Sequence, residues 1–138
     1  MTPEMQALLK KQEDLRLTMY RDSLGYPTIG YGHLLSQPIP EEAADIIFQH
    51  DVALVEENLR AYSWYNGLDD FRKDIIANMA FNMGIVRLLS FHHMIAYLQI
   101  GDFEGAAIEM ENSKWDEEVG FRATVLARMM KEGKWDQS

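Results

Sequence analysis

The sequence contains no cysteine, which excludes disulfides and thiolate metal sites and leaves apolar packing to hold the chain together. Basic residues are scarce: 13 Lys and Arg stand against 22 Asp and Glu, a formal net charge of −9. Nucleic-acid binding carries a basic footprint, and this chain has no basic cluster to supply one. Long hydrophobic runs are missing as well. The most apolar stretch, Ile75 to Leu89, is interrupted by Asn78, Asn82 and Arg87, so no membrane insertion is expected. Lys10, Lys11 and Gln12 interrupt the N-terminus before any apolar leader can form. The expectation is a chain made in the cytoplasm without a signal peptide.

What is present suits one globular domain. The 138 residues are 47% hydrophobic and 25% charged, enough to bury a core without staples. Thr2-Pro3-Glu4 reads as an N-cap, a first-turn proline and an acid near the positive end of a helix dipole. The helix should run to about Gln12, with Met5, Leu8 and Leu9 on its apolar face and Glu13 at the end of that stripe. From Leu17 the pattern changes to short strands around Thr18-Met19-Tyr20 and Thr28-Ile29-Tyr31, separated by a Ser23-Leu24-Gly25 turn. Gly30 and Gly32 alternate with larger residues, as in a close backbone approach or a bulge.

The rest reads as helical. A long helix from Glu41 to about Tyr62 carries the stripe Ala44, Ile47, Phe48, Val52, Val55 and Leu59. A second spans Leu68 to Met83 and is closed by Gly84. Others are expected over about 91–100, 103–112 and 119–131. The predicted architecture is α+β and mostly helical, organised as one two-lobe domain. A small sheet-bearing lobe covers about 14–60, including the long connecting helix, and a helical lobe covers about 1–13 plus 61–138. Two such lobes suit an extended ligand.

One segment carries chemistry. Glu13 is followed nine positions on by Asp22 and six further by Thr28, and then by Ile29-Gly30-Tyr31-Gly32-His33. This resembles the active-site signature of phage-type lysozymes. The likeness continues through Phe48-Gln49-His50-Asp51-Val52 and Asn78-Met79-Ala80-Phe81-Asn82-Met83-Gly84. It then takes in Ser113-Lys114-Trp115, Arg122 and Gly133-Lys134-Trp135-Asp136, and so nearly the whole chain. The resemblance implies a peptidoglycan-degrading muramidase with the lysozyme-like fold, needing neither metal nor other cofactor. Glycoside hydrolysis needs an acid for the leaving oxygen and a base or nucleophile across the sugar. Glu13 is the expected acid and Asp22 the expected base, with Thr28 sharing a water with Asp22.

The same resemblance assigns further roles. Leu34, Phe81 and Asn82 align with residues lining the saccharide cleft, Asn82 standing where a relative has glutamine. Arg122 matches an arginine that approaches the catalytic glutamate, and His33 is expected to pair with Asp51. The implied partner is bacterial peptidoglycan, met by a monomer that acts on the cell wall after release by a holin-like factor. A lytic transglycosylase, or a catalytically silent wall-binding module, is the alternative on the same fold. Trp115, Trp135 and the nine methionines are read as packing residues. The adjacent His92 and His93 point about 100° apart on a helix and cannot chelate together. Two departures from the family stand out: a shorter connection between Leu35 and Glu41, and the acidic net charge.

Overall fold

The computed structural model describes residues 1–137. The chain forms two compact units, Met1–Asp45 and Ile46 onward. Together they give the expected mostly helical α+β fold with one small antiparallel sheet.

The first unit opens with helix α1, Pro3–Glu13, and the Thr2 hydroxyl accepts from the Met5 N–H as its cap. Strands β1 (Arg16–Arg21), β2 (Pro27–Gly30) and β3 (His33–Leu34) follow as an antiparallel meander in that order. Tyr20 lies opposite Thr28 in the first pair, and Thr28 lies opposite Leu34 in the second. Tyr31 is not part of a strand. It sits in the reversal between β2 and β3, where Gly30 and Gly32 take positive φ values of 71° and 79°. Such angles are open to glycine at little cost.

Burial in this unit differs from the pattern's promise. Helix α1 has no buried residue, and Met5, Leu8, Leu9 and Glu13 are exposed. The unit's one buried polar residue is Thr28. The physical reason is size, since about 45 residues remove too little surface from water to enclose a core of their own.

The second unit holds the core. Helix α2, Glu41–Leu59, enters it, with Val52 and Val55 half-buried and Leu59 fully buried, while Ile47 and Phe48 stay exposed. After the short α3 (Ser63–Asn66) comes α4, Asp70–Met83, which buries Ile75, Ile76, Met79 and Ala80. Around it pack α5 (Ile85–Leu89), α6 (His92–Gln99), α7 (Phe103–Glu111), α8 (Lys114–Val119) and α9 (Phe121–Glu132). Met79, Met94, Met110 and Met130 are fully enclosed, the adaptable filler their chemistry suits. The last helix starts at Phe121 because Gly120, at φ 53°, breaks the chain after α8. No helix among the described residues is long and apolar enough to cross a membrane.

Candidate active site

The β1–β2 turn is built around one carboxylate. Asp22 Oδ1 accepts from the backbone N–H groups of Leu24 and Tyr26, both at 2.9 Å. The Asp22 N–H donates to the Tyr26 carbonyl at 3.0 Å, and the Gly25 N–H donates to the Asp22 carbonyl at 2.9 Å. Aspartate favours such turns because its short side chain reaches the backbone two residues on. Gly25 supplies the positive φ of 87° that the tight return requires. The Arg21 guanidinium closes the loop from outside by donating to the Gly25 carbonyl at 3.0 Å.

Thr28 meets Asp22 through the same peptide. Its hydroxyl donates to the Tyr26 carbonyl at 2.8 Å, and the residue is only 2% exposed. The Tyr26 carbonyl therefore receives both the Asp22 N–H and the Thr28 hydroxyl, while the Tyr26 N–H binds the Asp22 carboxylate. Leu34 is half-buried on β3, in register with Thr28.

Glu13 ends α1, and its carboxylate lies over Gly32. A Cβ built on Gly32 would stand 3.0 Å from Glu13 Oε2. The glycine alternation suggests strands in close backbone approach or a bulge; at Gly32 the close neighbour is instead a side chain, that of the candidate acid, and at Gly30 there is none. The residue after Glu13 is unusual too: Asp14 holds φ 63° and ψ 149°, a region open almost only to glycine. Its carboxylate accepts from the Leu15 N–H at 2.9 Å. His33 follows Gly32, and its Nε2 is buried with no hydrogen-bond partner among the described residues.

The remaining candidates belong to the second unit. Asp51 is exposed on α2. Phe81 is half-exposed near the end of α4 and packs edge-on against Phe48, with ring centroids 5.6 Å apart. Both border an open cavity of about 340 Å³, along with Val52, Val55, Asn78 and Arg122. Arg122 donates to Asn78 Oδ1 at 2.8 Å. Asn82, one residue after Phe81, accepts a 2.7 Å hydrogen bond from the indole of Trp115. Trp115 is 1% exposed and is a core residue, whereas Trp135 is largely exposed and meets the Phe71 ring edge-on.

Sequence reasoning nominated the residue types but did not reach three of the contacts around them. Gly32 was visible as half of a glycine alternation, without sign of what approached it. The Tyr26 peptide and the Trp115–Asn82 bond left no signal, since main-chain groups have no letter and 33 residues separate the indole from its acceptor.

A mostly helical α+β chain with one small antiparallel meander, carrying Glu13 at the end of α1, Asp22 in the β1–β2 turn and Thr28 on β2, has the make-up of a lysozyme-like fold. Residues 10–132 match the family model described as phage lysozyme, and the chain belongs to that family. It is 27% identical to "Probable T4-type lysozyme 1" of Dictyostelium discoideum over 164 positions, covering 96% of each chain. That alignment is longer than the 138 residues here, so the relative carries stretches that this chain lacks. The pre-baseplate central spike protein Gp5 of Enterobacteria phage T4 is 27% identical over 94% of this chain and 28% of its own length. An endolysin of Acyrthosiphon pisum secondary endosymbiont phage 1 is 30% identical over 90% of this chain and 86% of its own.

Proposed function

We propose that the protein is a muramidase that hydrolyses the β-1,4 bond between N-acetylmuramic acid and N-acetylglucosamine in bacterial peptidoglycan, with inversion. Glu13 gives its proton to the leaving glycosidic oxygen as the bond to the anomeric carbon breaks. Asp22 takes a proton from the attacking water, and Thr28 holds that water in line.

The observation that carries this reading is the commitment of the Thr28 proton to the Tyr26 carbonyl. A hydroxyl has a single proton, so towards a water Thr28 Oγ1 can only accept. Asp22 Oδ1 already holds two backbone N–H groups, which leaves Oδ2 as the open acceptor. A water shared by the two then points one hydrogen at Asp22 and the other at Thr28. Its lone pairs face away from both, towards the sugar, which is the orientation a nucleophile needs. Inversion further calls for carboxyl groups about 6.5–9.5 Å apart, with room for that water. Glu13 is exposed in the free protein, so the exclusion of water from the acid falls to the bound glycan.

Leu34, Phe81 and Asn82 take the saccharide in this reading, while Arg122, His33 and Asp51 support the machinery. The setting is phage or prophage lysis, in which a monomer without cofactor is released to the wall by a holin-like partner. The test is mass spectrometry of fragments released from purified peptidoglycan, with a Glu13→Gln protein alongside. Reducing-end muropeptides from the wild type alone are expected. Anhydro ends would make the protein a transglycosylase, and no release at any salt or pH would end the enzymatic reading.

A further inference from the structure

Asp14 is the one non-glycine residue with a positive φ among the described residues, at φ 63° and ψ 149°. An L side chain is strained there, and such strain persists only where the surrounding structure enforces it. Two fixed elements enforce it here. On the helix side, the Asp14 N–H closes the last turn of α1 by donating to the Lys10 carbonyl at 3.1 Å. The Lys10 ammonium in turn lies 5.3 Å from the centre of the Tyr31 ring, in the β2–β3 reversal. On the sheet side, Arg16 already stands opposite Gly30 in the ladder between β1 and β2. Only Asp14 and Leu15 remain to turn the chain from helix to strand, and Asp14 takes the strain. Its carboxylate accepts from the Leu15 N–H at 2.9 Å and stands 3.9 Å from Arg16 Nε.

Glu13 sits against this joint as the last residue of α1, the end at which a helix frays. Its side chain is long and flexible, and its carboxylate has a seat only over Gly32. A general acid has to stand within about 2.6–3.2 Å of the oxygen it protonates, so the direction of that helix end matters. We propose that Asp14 is a positioning residue for the candidate acid: its strained backbone, pinned by the Leu15 N–H, holds the Glu13 carboxylate over Gly32 before a glycan arrives. Glycine at this position would reach the same angles without strain, but it would reach many others as well. The helix end, and the carboxylate with it, would then lose its fixed direction. The inference rests on the muramidase reading for its consequence in catalysis but not for its geometry.

Asp14→Gly and Asp14→Asn form the test. Glycine releases the strain, so that protein should melt no lower than the wild type. Its kcat on purified peptidoglycan should nevertheless fall by about tenfold, with KM little changed. Asparagine keeps an acceptor for the Leu15 N–H and tolerates positive φ, but carries no charge. It should recover most of the lost kcat. A glycine variant with wild-type kcat would overturn the proposal. So would an asparagine variant as slow as the glycine one, since charge and not backbone would then be at work. NMR reads the position of the carboxylate without any turnover. A Cβ takes the place of an Hα, so one Gly32 Hα points at Glu13 Oε2, and its chemical shift should follow the ionisation of that carboxylate. Repeating each titration with Glu13→Gln subtracts the contribution of the other carboxylates. The Glu13-dependent shift should be present in the wild type and in Asp14→Asn, and should shrink by about twofold or more in Asp14→Gly. A shift that shrinks in this way while no protein releases muropeptides would sustain the positioning role and remove the muramidase reading. An undiminished shift in Asp14→Gly would overturn the positioning role even where glycan is cleaved.

Discussion

The Tyr26 peptide is the joint of the candidate site, since its N–H holds the Asp22 carboxylate and its carbonyl takes both the Asp22 N–H and the Thr28 hydroxyl. Thr28→Val tests that joint with little change of shape. The Tyr26 carbonyl keeps its Asp22 donor, so the lost bond should cost about 1 kcal/mol of stability. Activity should fall by about a hundredfold or more in kcat with KM little changed, while Thr28→Ser recovers most of it. A valine variant with wild-type kcat would remove Thr28 from the chemistry. Gly32 makes a second case at the same scale. Alanine there meets two obstacles, the positive φ of 79° and a Cβ 3.0 Å from Glu13 Oε2. Gly101 shares the first, with φ 73°, but has nothing within 4 Å of a built Cβ. Both alanine variants should lose about 1–2 kcal/mol to backbone strain. Only Gly32→Ala should also lose most of its activity, because the Glu13 carboxylate has to move aside. Equal activity in the two variants would mean that the carboxylate tolerates displacement.

At the scale of elements, three helix ends are tied by one side chain. Asp69 caps α4 by accepting from the Arg72 N–H, and Arg72 Nη1 returns to Asp69 Oδ1 at 3.1 Å. The same guanidinium donates to the Met130 carbonyl at 2.7 Å and the Lys131 carbonyl at 3.2 Å, satisfying last-turn acceptors of α9. It also stacks 3.6 Å from the ring centre of Phe103, the first residue of α7. Burial works to raise the Asp69 carboxyl, but the hydrogen bonds and charge of Arg72 outweigh it and hold the group below its ordinary value. A depressed carboxyl contributes stability above the unfolded value of 3.8, which is lost as pH falls through the lower folded value. Asp69→Asn keeps one oxygen to cap α4 and removes the charge together with the second acceptor, which takes Arg72 Nη1. It should cost about 0.5–1 kcal/mol at neutral pH, and the gap in melting temperature should close below about pH 3.8. A gap that persists at pH 2 would show that the capping geometry matters and the charge does not. Elements of this length were legible in the sequence: α1, α4, α6 and α7 begin and end within about two residues of their expected bounds. Strand β3 and helices α3, α5 and α8 were not, because two to six residues carry no measurable period. The burial of α1 was misjudged for a different reason. A stripe marks which face is apolar and says nothing about whether the surrounding unit is large enough to cover it. The candidate site divides likewise: the resemblance nominates Glu13, Asp22 and Thr28, while the direction of each hydrogen bond around them leaves no mark in the sequence.

At the scale of the whole molecule, the net charge of −9 opposes approach to an anionic wall. Repulsion between surfaces is screened over a Debye length of about 30 Å at 0.01 M salt, about 10 Å at 0.1 M and about 3 Å at 1 M. Lysis of purified walls should therefore accelerate as salt rises from about 0.01 to 0.2 M, and then level off once the field no longer reaches the approaching glycan. The gain belongs in kcat/KM, since the field acts on encounter and not on a glycan already bound. Charge reversal provides the independent check. Glu111 and Glu132 end α7 and α9, where an acidic group faces the negative pole of the helix dipole. Glu111→Lys together with Glu132→Lys changes the formal charge from −9 to −5 without cost to those helices. The double variant should be faster than the wild type at 0.01 M salt and indistinguishable from it at 0.2 M. A wild-type rate that falls steadily from the lowest salt upward would mean that local attraction at the site outweighs the global charge. The acidic surface would then be a matter of solubility alone.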